Sequence, residues 1–403
     1  MAGKRWIGAW ATAMQGPYPI GTLTTAGVSP ATPFLTNEVD DQSLRMVIHP
    51  TVGGERVRAC FSNLLGDRPL EISAATVATS VGTGPAVMPG SAVALSFGGK
   101  PAVSVPKGEK RCSDGADFSF AFNDDIAVSF HVPGPSGPIT WHSEAYSAQF
   151  VSAPGTGNVT TDETGSMFTL PARSFFYLSD FEVEAPASGG STITAFGDSI
   201  TDGSFGTPLL NHRYPDFLAR RLDAAGIKAG VRNLGINGNR VLVAEDNPVD
   251  GPPGVRRFGY EGLEAGTKGV FVLLGTNDIG GDGASAEAVY AGYVELARQA
   301  HAAGACIVIS TVLPRNDPPL PFGWDVAVDE PKRKALNAML LASTEFDAVA
   351  DVAAAMANPL LPDQPFQPYF VEGLHPNSVG MQVLANAIPL EPLLPPPVGR
   401  CTR

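Results

Sequence analysis

"TAFGDSITDG", residues 194–203, runs an apolar approach into an acid-rich turn that carries a single serine, Ser199. The approach, TITAFG at 192–197, reads as a strand, and a helix is expected from about Pro215 to Ala225. In an open parallel sheet, reactive groups gather beyond the carboxyl ends of the strands, where loops from several strands converge. Ser199 falls just past such an end. Taken alone, a Gly-Asp-Ser triplet is also what a helix cap or a turn uses, so the reading depends on its surroundings.

Downstream, strand and helix patterns alternate. VRNLGI (231–236) and GVFVLLG (269–275) have the continuous apolar character of strands buried on both faces. A helical pattern over 286–304 leads into the strand ACIVISTVL at 305–313. A helix near 331–344, a strand at 346–353 and a closing helix over 377–388 complete the series. The expected fold is a three-layer α/β, flavodoxin-like domain around a parallel sheet, with the proline-rich tail PLEPLLPPPVGR lying over its surface.

Upstream, from about residue 40 to 185, the pattern is different: short strands such as SLRMVIHPTV, ERVRACFSNL and DIAVSFHV, separated by Gly, Pro, Asp and Ser. This spacing predicts an antiparallel, jelly-roll-like β-sandwich. APASGGST at 185–192 reads as the linker, which puts an N-terminal segment and sandwich at 1–189 and the α/β domain with its tail at 190–403.

A chain of 403 residues is long enough for two such domains, and 44 % hydrophobic with 17 % charged residues supplies their cores. With 27 Lys and Arg against 40 Asp and Glu, the formal charge is −13, which disfavours nucleic acid and anionic membranes as partners. No apolar run reaches the roughly 20 residues of a transmembrane helix. The opening MAGKRWIGAWATAM mimics a secretory leader, but its apolar patch, Trp6 to Met14, is too short. The chain as written reads as cytoplasmic, or as secreted if a native leader has been removed. Trp6 and Trp10 would form a costly exposed patch, so the sandwich is expected to dock through them on the α/β domain.

Cys60, Cys112, Cys306 and Cys401 show no C-x-x-C spacing, and no metal site is expected. Cys306 reads as a packed thiol. Cys60 and Cys112 share a region, and whether they bridge stays open, as does the redox compartment. No cofactor is expected either: the chain contains no phosphate-binding loop, no H-E-x-x-H and no G-x-S-x-G elbow.

Later strand ends supply companions for Ser199. After VRNLGI comes Gly235-Ile236-Asn237-Gly238-Asn239, where a glycine lets a main-chain N–H approach a ligand. After GVFVLLG comes Thr276-Asn277-Asp278, and before the last helix VEGLHPN places Glu372 three residues ahead of His375. Asp198 is assigned to holding the turn under Ser199, Asn239 to bracing the loop, and His212 to a substrate contact. His49, His131, His142 and His301 read as packed or solvated.

These blocks resemble the SGNH, or GDSL, hydrolases, a family of serine esterases named for a Ser, a Gly, an Asn and a His in separate motifs. Ser199, Gly235, Asn277 and His375 match them in order over roughly residues 192–395. The upstream half is similar to the β-sandwich of a two-domain subgroup. The resemblance implies nucleophile Ser199, base His375, and an oxyanion hole from the Ser199 and Gly235 N–H groups with the Asn277 amide. Glu372 departs from the family's usual Asp, yet a glutamate can orient the imidazole equally. The implied function is hydrolysis of carboxylic esters of short acyl groups, acetyl esters of carbohydrate included, with acyl transfer or lipid acylhydrolysis as close variants. The alternative is a carbohydrate- or surface-binding sandwich whose hydrolase half is secondary. The partner is a small-molecule or carbohydrate ester; oligomeric state is open.

Overall fold

A computed structural model describes residues 3–21, 33–34, 36–187, 189–242, 249–264, 266–315 and 324–403. The chain forms two compact units, Met1–Gly190 and Ser191–Arg403.

The first unit is built around two large antiparallel sheets, with two short two-stranded sheets beside them among the described residues. One has the order Lys4–Ala11, Leu178–Pro186, Gly54–Ser62, Lys110–Cys112, with Ala116–Phe120 also paired to Gly54–Ser62. The other runs Leu170–Ala172, Gln149–Val151, Gln42–Ile48, Ile126–Val132, Ala74–Thr79, Val93–Ala94. Ile7, Val57, Phe61, Val128, Phe130 and Phe181 belong to a common buried core. This is the expected β-sandwich, with one strand more at its start.

That strand, Lys4–Ala11, is the stretch that mimics a leader, and it pairs with Leu178–Pro186. Trp10 is buried edge-on against Phe175 at 4.8 Å, and the Arg58 guanidinium lies 4.7 Å over Trp6. Trp10 thus belongs to the buried core of the first unit and Trp6, half-buried, has a partner in the same sheet, which corrects the expectation that the two form an exposed apolar patch. Cys60 and Cys112 face each other on neighbouring strands and form a disulfide. Glu182 lies beside them, but joined thiols offer no thiolate to a metal.

In the second unit, five parallel strands have the order Ala229–Gly235, Ser191–Gly197, Thr267–Leu273, Cys306–Ser310, Ala348–Ala350. The first strand in sequence, Ser191–Gly197, is buried along its whole length, as a strand covered by helices on both faces must be. The chain continues to one side of it and then to the other, so the strand order reverses there, where ligands of open α/β sheets bind. Gly197 pairs in register with both Gly235 and Leu273. Three strand ends are therefore level, and their following loops emerge at one edge.

The helices are Tyr214–Ala224, Ala286–Ala302, Val326–Leu341 and Ser378–Ala387, with shorter turns between. Their starts carry local signals: Ser285 and Asn377 cap with their side chains, and Pro215 opens the first. Among the described residues no helix is long and apolar enough to cross a membrane. The tail does not simply lie on the surface. Leu393 and Leu394 are buried, and Cys401 forms a disulfide with Cys306. Cys306 is therefore not the free packed thiol that its strand context suggests.

Candidate active site

The turn carrying Ser199 is set by Asp198, whose Oδ1 accepts from the Ile200 N–H at 3.0 Å and caps the short helix Ser199–Asp202. Gly203, with φ of 104°, ends that helix at once. Ser199 is 4 % exposed, and its own N–H, at the first helical position, has no acceptor among the described residues.

His375 reaches Ser199 from the other end of the domain. Its Nε2 lies 2.9 Å from Ser199 Oγ, and its Nδ1 bonds Glu372 Oε1. A carboxylate can only accept, so Nδ1 carries the proton and the Nε2 lone pair faces the hydroxyl. The His375 main-chain N–H also donates to both Glu372 oxygens at 3.2 Å. This local loop, closed within four residues, fixes the ring by its own acid. The Phe205 ring covers the imidazole with centroids 4.6 Å apart.

Asn277 Nδ2 donates to the Asn239 carbonyl at 3.0 Å, which uses one of its two amide hydrogens and leaves the other. Asn239 is itself held on every side. Its Nδ2 donates to the carbonyls of Asp250 and Pro252, and its Oδ1 accepts from Arg257 Nε at 3.0 Å. Arg257, fully buried against the Phe196 ring, donates further to the carbonyls of Leu234 and Gly197 and to Glu261. One guanidinium thus ties together two strand ends and the loop that orients Asn277. Nothing in GVRRF marks Arg257 as different from a surface arginine; only the folded neighbourhood does.

The resemblance points to Gly235 as an oxyanion donor, but its amide is committed. Gly235 N–H donates to Asn233 Oδ1 at 3.0 Å, and a Cβ there would abut the Asp202 backbone. Gly235 is a close-packing glycine between the strand and the nucleophile turn. Three residues on, Gly238 has φ of 76° and an N–H with no acceptor among the described residues. Its neighbours fasten it in place: Asn237 Nδ2 donates to Ser204 Oγ at 2.7 Å, and Asn239 holds Asn277. The Gly-Ile-Asn-Gly run offers two glycines, and sequence alone does not say whose amide is free.

Burial dominates the electrostatics beneath the turn. It pushes the Asp198 carboxyl up to about 7, with repulsion from Asp278 adding to it, and Asp278 itself up to about 6. Asp278 accepts from the Val241 and Leu242 N–H groups. Arg315, stacked 4.4 Å over Trp324 and bonded to Thr276 Oγ1 at 3.1 Å, faces Asp198, Asp329 and Glu372. Desolvation brings its guanidinium down to about 10.

His212 lies against the start of the last helix, at Ser378, three residues on from His375. Its Nδ1 meets Ser378 Oγ at 3.2 Å and its ring stacks on Phe217. His49, His131 and His301 are each bonded to an aspartate, and His142 to the Ala13 carbonyl. A hydroxyl, an imidazole and a carboxylate in line, joined by hydrogen bonds, is the arrangement that activates a serine for attack on an acyl carbon.

Residues 195–383 match the GDSL-like Lipase/Acylhydrolase family. A comparison with curated proteins finds no match. Among solved structures, the chain is similar to an Agrobacterium tumefaciens protein assigned as an arylesterase, at 25 % identity, covering 51 % of this chain and 100 % of that one, with a TM-score of 0.41. It is similar to the aryl esterase of M. smegmatis at 18 % identity, over 51 % of this chain and 100 % of that one, with a TM-score of 0.41. It is also similar to Est24, a carbohydrate acetylesterase from Sinorhizobium meliloti, at 16 % identity, over 49 % of this chain and 95 % of that one, with a TM-score of 0.40. Residues 195–383 form a domain of the GDSL-like lipase/acylhydrolase family, and the protein is a carboxylic ester hydrolase of the serine type.

Proposed function

We propose that Ser199 is the nucleophile, His375 the general base and acid, and Glu372 the residue that orients His375, in the hydrolysis of short-acyl carboxylic esters. The observation that carries this reading is the 2.9 Å approach of His375 Nε2 to Ser199 Oγ, with Nδ1 held by Glu372. As Oγ attacks the acyl carbon, its proton passes to Nε2, and Glu372 stabilises the resulting imidazolium. The carbonyl oxygen becomes an anion that the Ser199 N–H, the free Asn277 N–H and the Gly238 N–H are assigned to receive. Gly238 takes the place of Gly235, whose N–H already has an acceptor. The intermediate collapses, Nε2 gives its proton to the departing alcohol, and water then releases the acyl group by the reverse route.

The acyl side is assigned to small groups because the residues around it are tied down: Asn237 to Ser204, Asn277 to Asn239, and Asn239 to Arg257. Acetylated carbohydrate and simple alkyl or aryl acetates are then the two substrate classes, and the alcohol side must distinguish them. Labelling with a fluorophosphonate probe tests the nucleophile, and p-nitrophenyl esters of increasing chain length test the acyl preference. Labelling of the wild type but not of Ser199→Ala, with kcat/KM falling beyond short chains, is expected. An unlabelled wild-type protein overturns the mechanism.

A further inference from the structure

A general acid must come within hydrogen-bond reach of the oxygen it protonates. The carbon attached to that oxygen therefore sits beside whatever flanks the imidazole. Here that neighbour is an aromatic ring: Phe205 lies over His375 at 4.6 Å, tilted by 34°. It is only partly buried. The same loop continues to Leu209 and Leu210, which are 47 % and 46 % exposed. Val371 donates its N–H to the His375 carbonyl and is itself exposed, as is Val379 at the start of the last helix. The loop reaches that helix start directly, because His212 bonds Ser378.

The loop's backbone is also unusual. Phe205, Leu209 and Asn211 have φ of 62°, 68° and 50°. Bulky side chains rarely adopt this left-handed region, and such strain persists where the surroundings fix it, often at functional sites. The loop is held in that shape by Arg220 Nη2, which donates to the Asn211 carbonyl at 2.8 Å, and by the His212–Ser378 contact. A tight, strained loop that presents a phenyl ring beside the proton donor, and continues to two exposed leucines, fits a ligand group with no hydroxyls to satisfy.

Given His375 as the proton donor to the leaving alcohol, we infer that this alcohol is apolar, an aryl or alkyl group rather than a sugar, and that Phe205 is the specificity residue that receives it. Phe205 also shields one face of the imidazole, but its selective effect is on the alcohol, which distinguishes it from a residue that merely positions His375.

The test holds the acyl group constant. Benzyl acetate and 2-methoxyethyl acetate have alcohols of similar acidity and give the same acetyl-enzyme, so their kcat/KM ratio reports alcohol recognition. The full-length wild type is expected to prefer benzyl acetate by at least about tenfold, a preference of the size apolar pockets achieve. Phe205→Asn, chosen because asparagine tolerates positive φ, should bring the ratio to within about threefold of unity, and Leu210→Ser should reduce it by less. Circular dichroism and a melting curve establish that Phe205→Asn is folded; should it not fold, a Leu209→Ser, Leu210→Ser double variant takes its place. Equal kcat/KM for the two esters in the wild type, or an unchanged ratio in a folded variant, overturns the proposal. Fluorophosphonate labelling without alcohol preference overturns it alone, whereas no labelling and no turnover of either ester overturns the serine mechanism with it.

Discussion

His375 Nε2 stands 2.9 Å from Ser199 Oγ across 176 residues of chain. The contact exists because the first strand of the parallel sheet and the last loop of the domain end at the same edge, and it makes a neutral hydroxyl a usable nucleophile. Ser199→Ala should lower kcat by at least about 10⁴-fold, since members of such a triad act as a unit. The melting temperature should stay near wild type, because the hydroxyl fills no core volume. Near-normal turnover of p-nitrophenyl acetate by this variant would contradict the mechanism.

Glu372 bonds both the ring and the main-chain N–H of His375. Glu372→Gln puts an amide where only an acceptor serves, so the imidazole can flip its tautomer. A fall in kcat of about 10² to 10⁴-fold at neutral pH is expected. Glu372→Asp, one methylene shorter, should retain part of the activity. An indifferent Glu372→Gln would mean that Ser199 and His375 work as a dyad.

Arg257 acts at one remove, through Asn239, on Asn277. Asn277→Ala should reduce kcat by about 10² to 10³-fold with KM little changed, as for loss of one oxyanion donor. Arg257→Lys keeps the charge but cannot span Asn239, Leu234, Gly197 and Glu261 together, so it too should lower kcat rather than raise KM. If Arg257 works through Asn277, the double variant should lose little more than Asn277→Ala alone. Additive losses would assign Arg257 a purely structural role.

What could be read from the sequence was local. The change from short strands to alternating buried strands and helices is visible because each element carries its own period and caps; the helix expected from about Pro215 to Ala225 spans Tyr214–Ala224. The features that were not legible depend on distant partners. Lys4–Ala11 is a strand because Leu178–Pro186 lies beside it, and no local signal reports that pairing. Cys306 sits in a buried strand pattern, and only the return of the tail brings Cys401 to it. Gly235 and Gly238 look alike in the sequence, and the Asn233 side chain decides which amide is occupied.

The Cys306–Cys401 bridge ties the tail to the fourth strand of the sheet across 95 residues. Cross-links of this kind stabilise by about 2–4 kcal/mol, largely through the unfolded state. Cys401→Ser should therefore lower the melting temperature, while kcat/KM of the folded protein at 25 °C stays near wild type, because the bridge lies away from the strand ends that carry Ser199 and Asn277. A variant that melts like wild type would show that burial of Leu393 and Leu394 alone holds the tail.

Asp198 gives the sharpest pH dependence. Its carboxyl is fully buried, one oxygen caps Ile200, the other has no partner among the described residues, and its pKa is raised from 3.8 to about 7. Between pH 4 and 7 the unfolded chain releases this proton and the folded protein keeps it, so this group's contribution to stability is full below pH 4 and is lost as pH rises through 7. Asn at this position caps a helix as well as Asp does and has no charge to bury. Asp198→Asn should therefore match wild type in stability at pH 4 and exceed it progressively up to pH 7, by at most about 4 kcal/mol. Asp278, raised to about 6, loses stability over the lower part of the same range in both proteins, and removing the neighbouring charge should ease its ionisation as well. Arg315 works in the opposite direction, because its guanidinium favours the ionised Asp198 and loses that partner in the variant. Urea unfolding at intervals from pH 4 to 8 measures the balance. A variant less stable than wild type by a constant amount at every pH would show that the Arg315 attraction, rather than burial, governs Asp198.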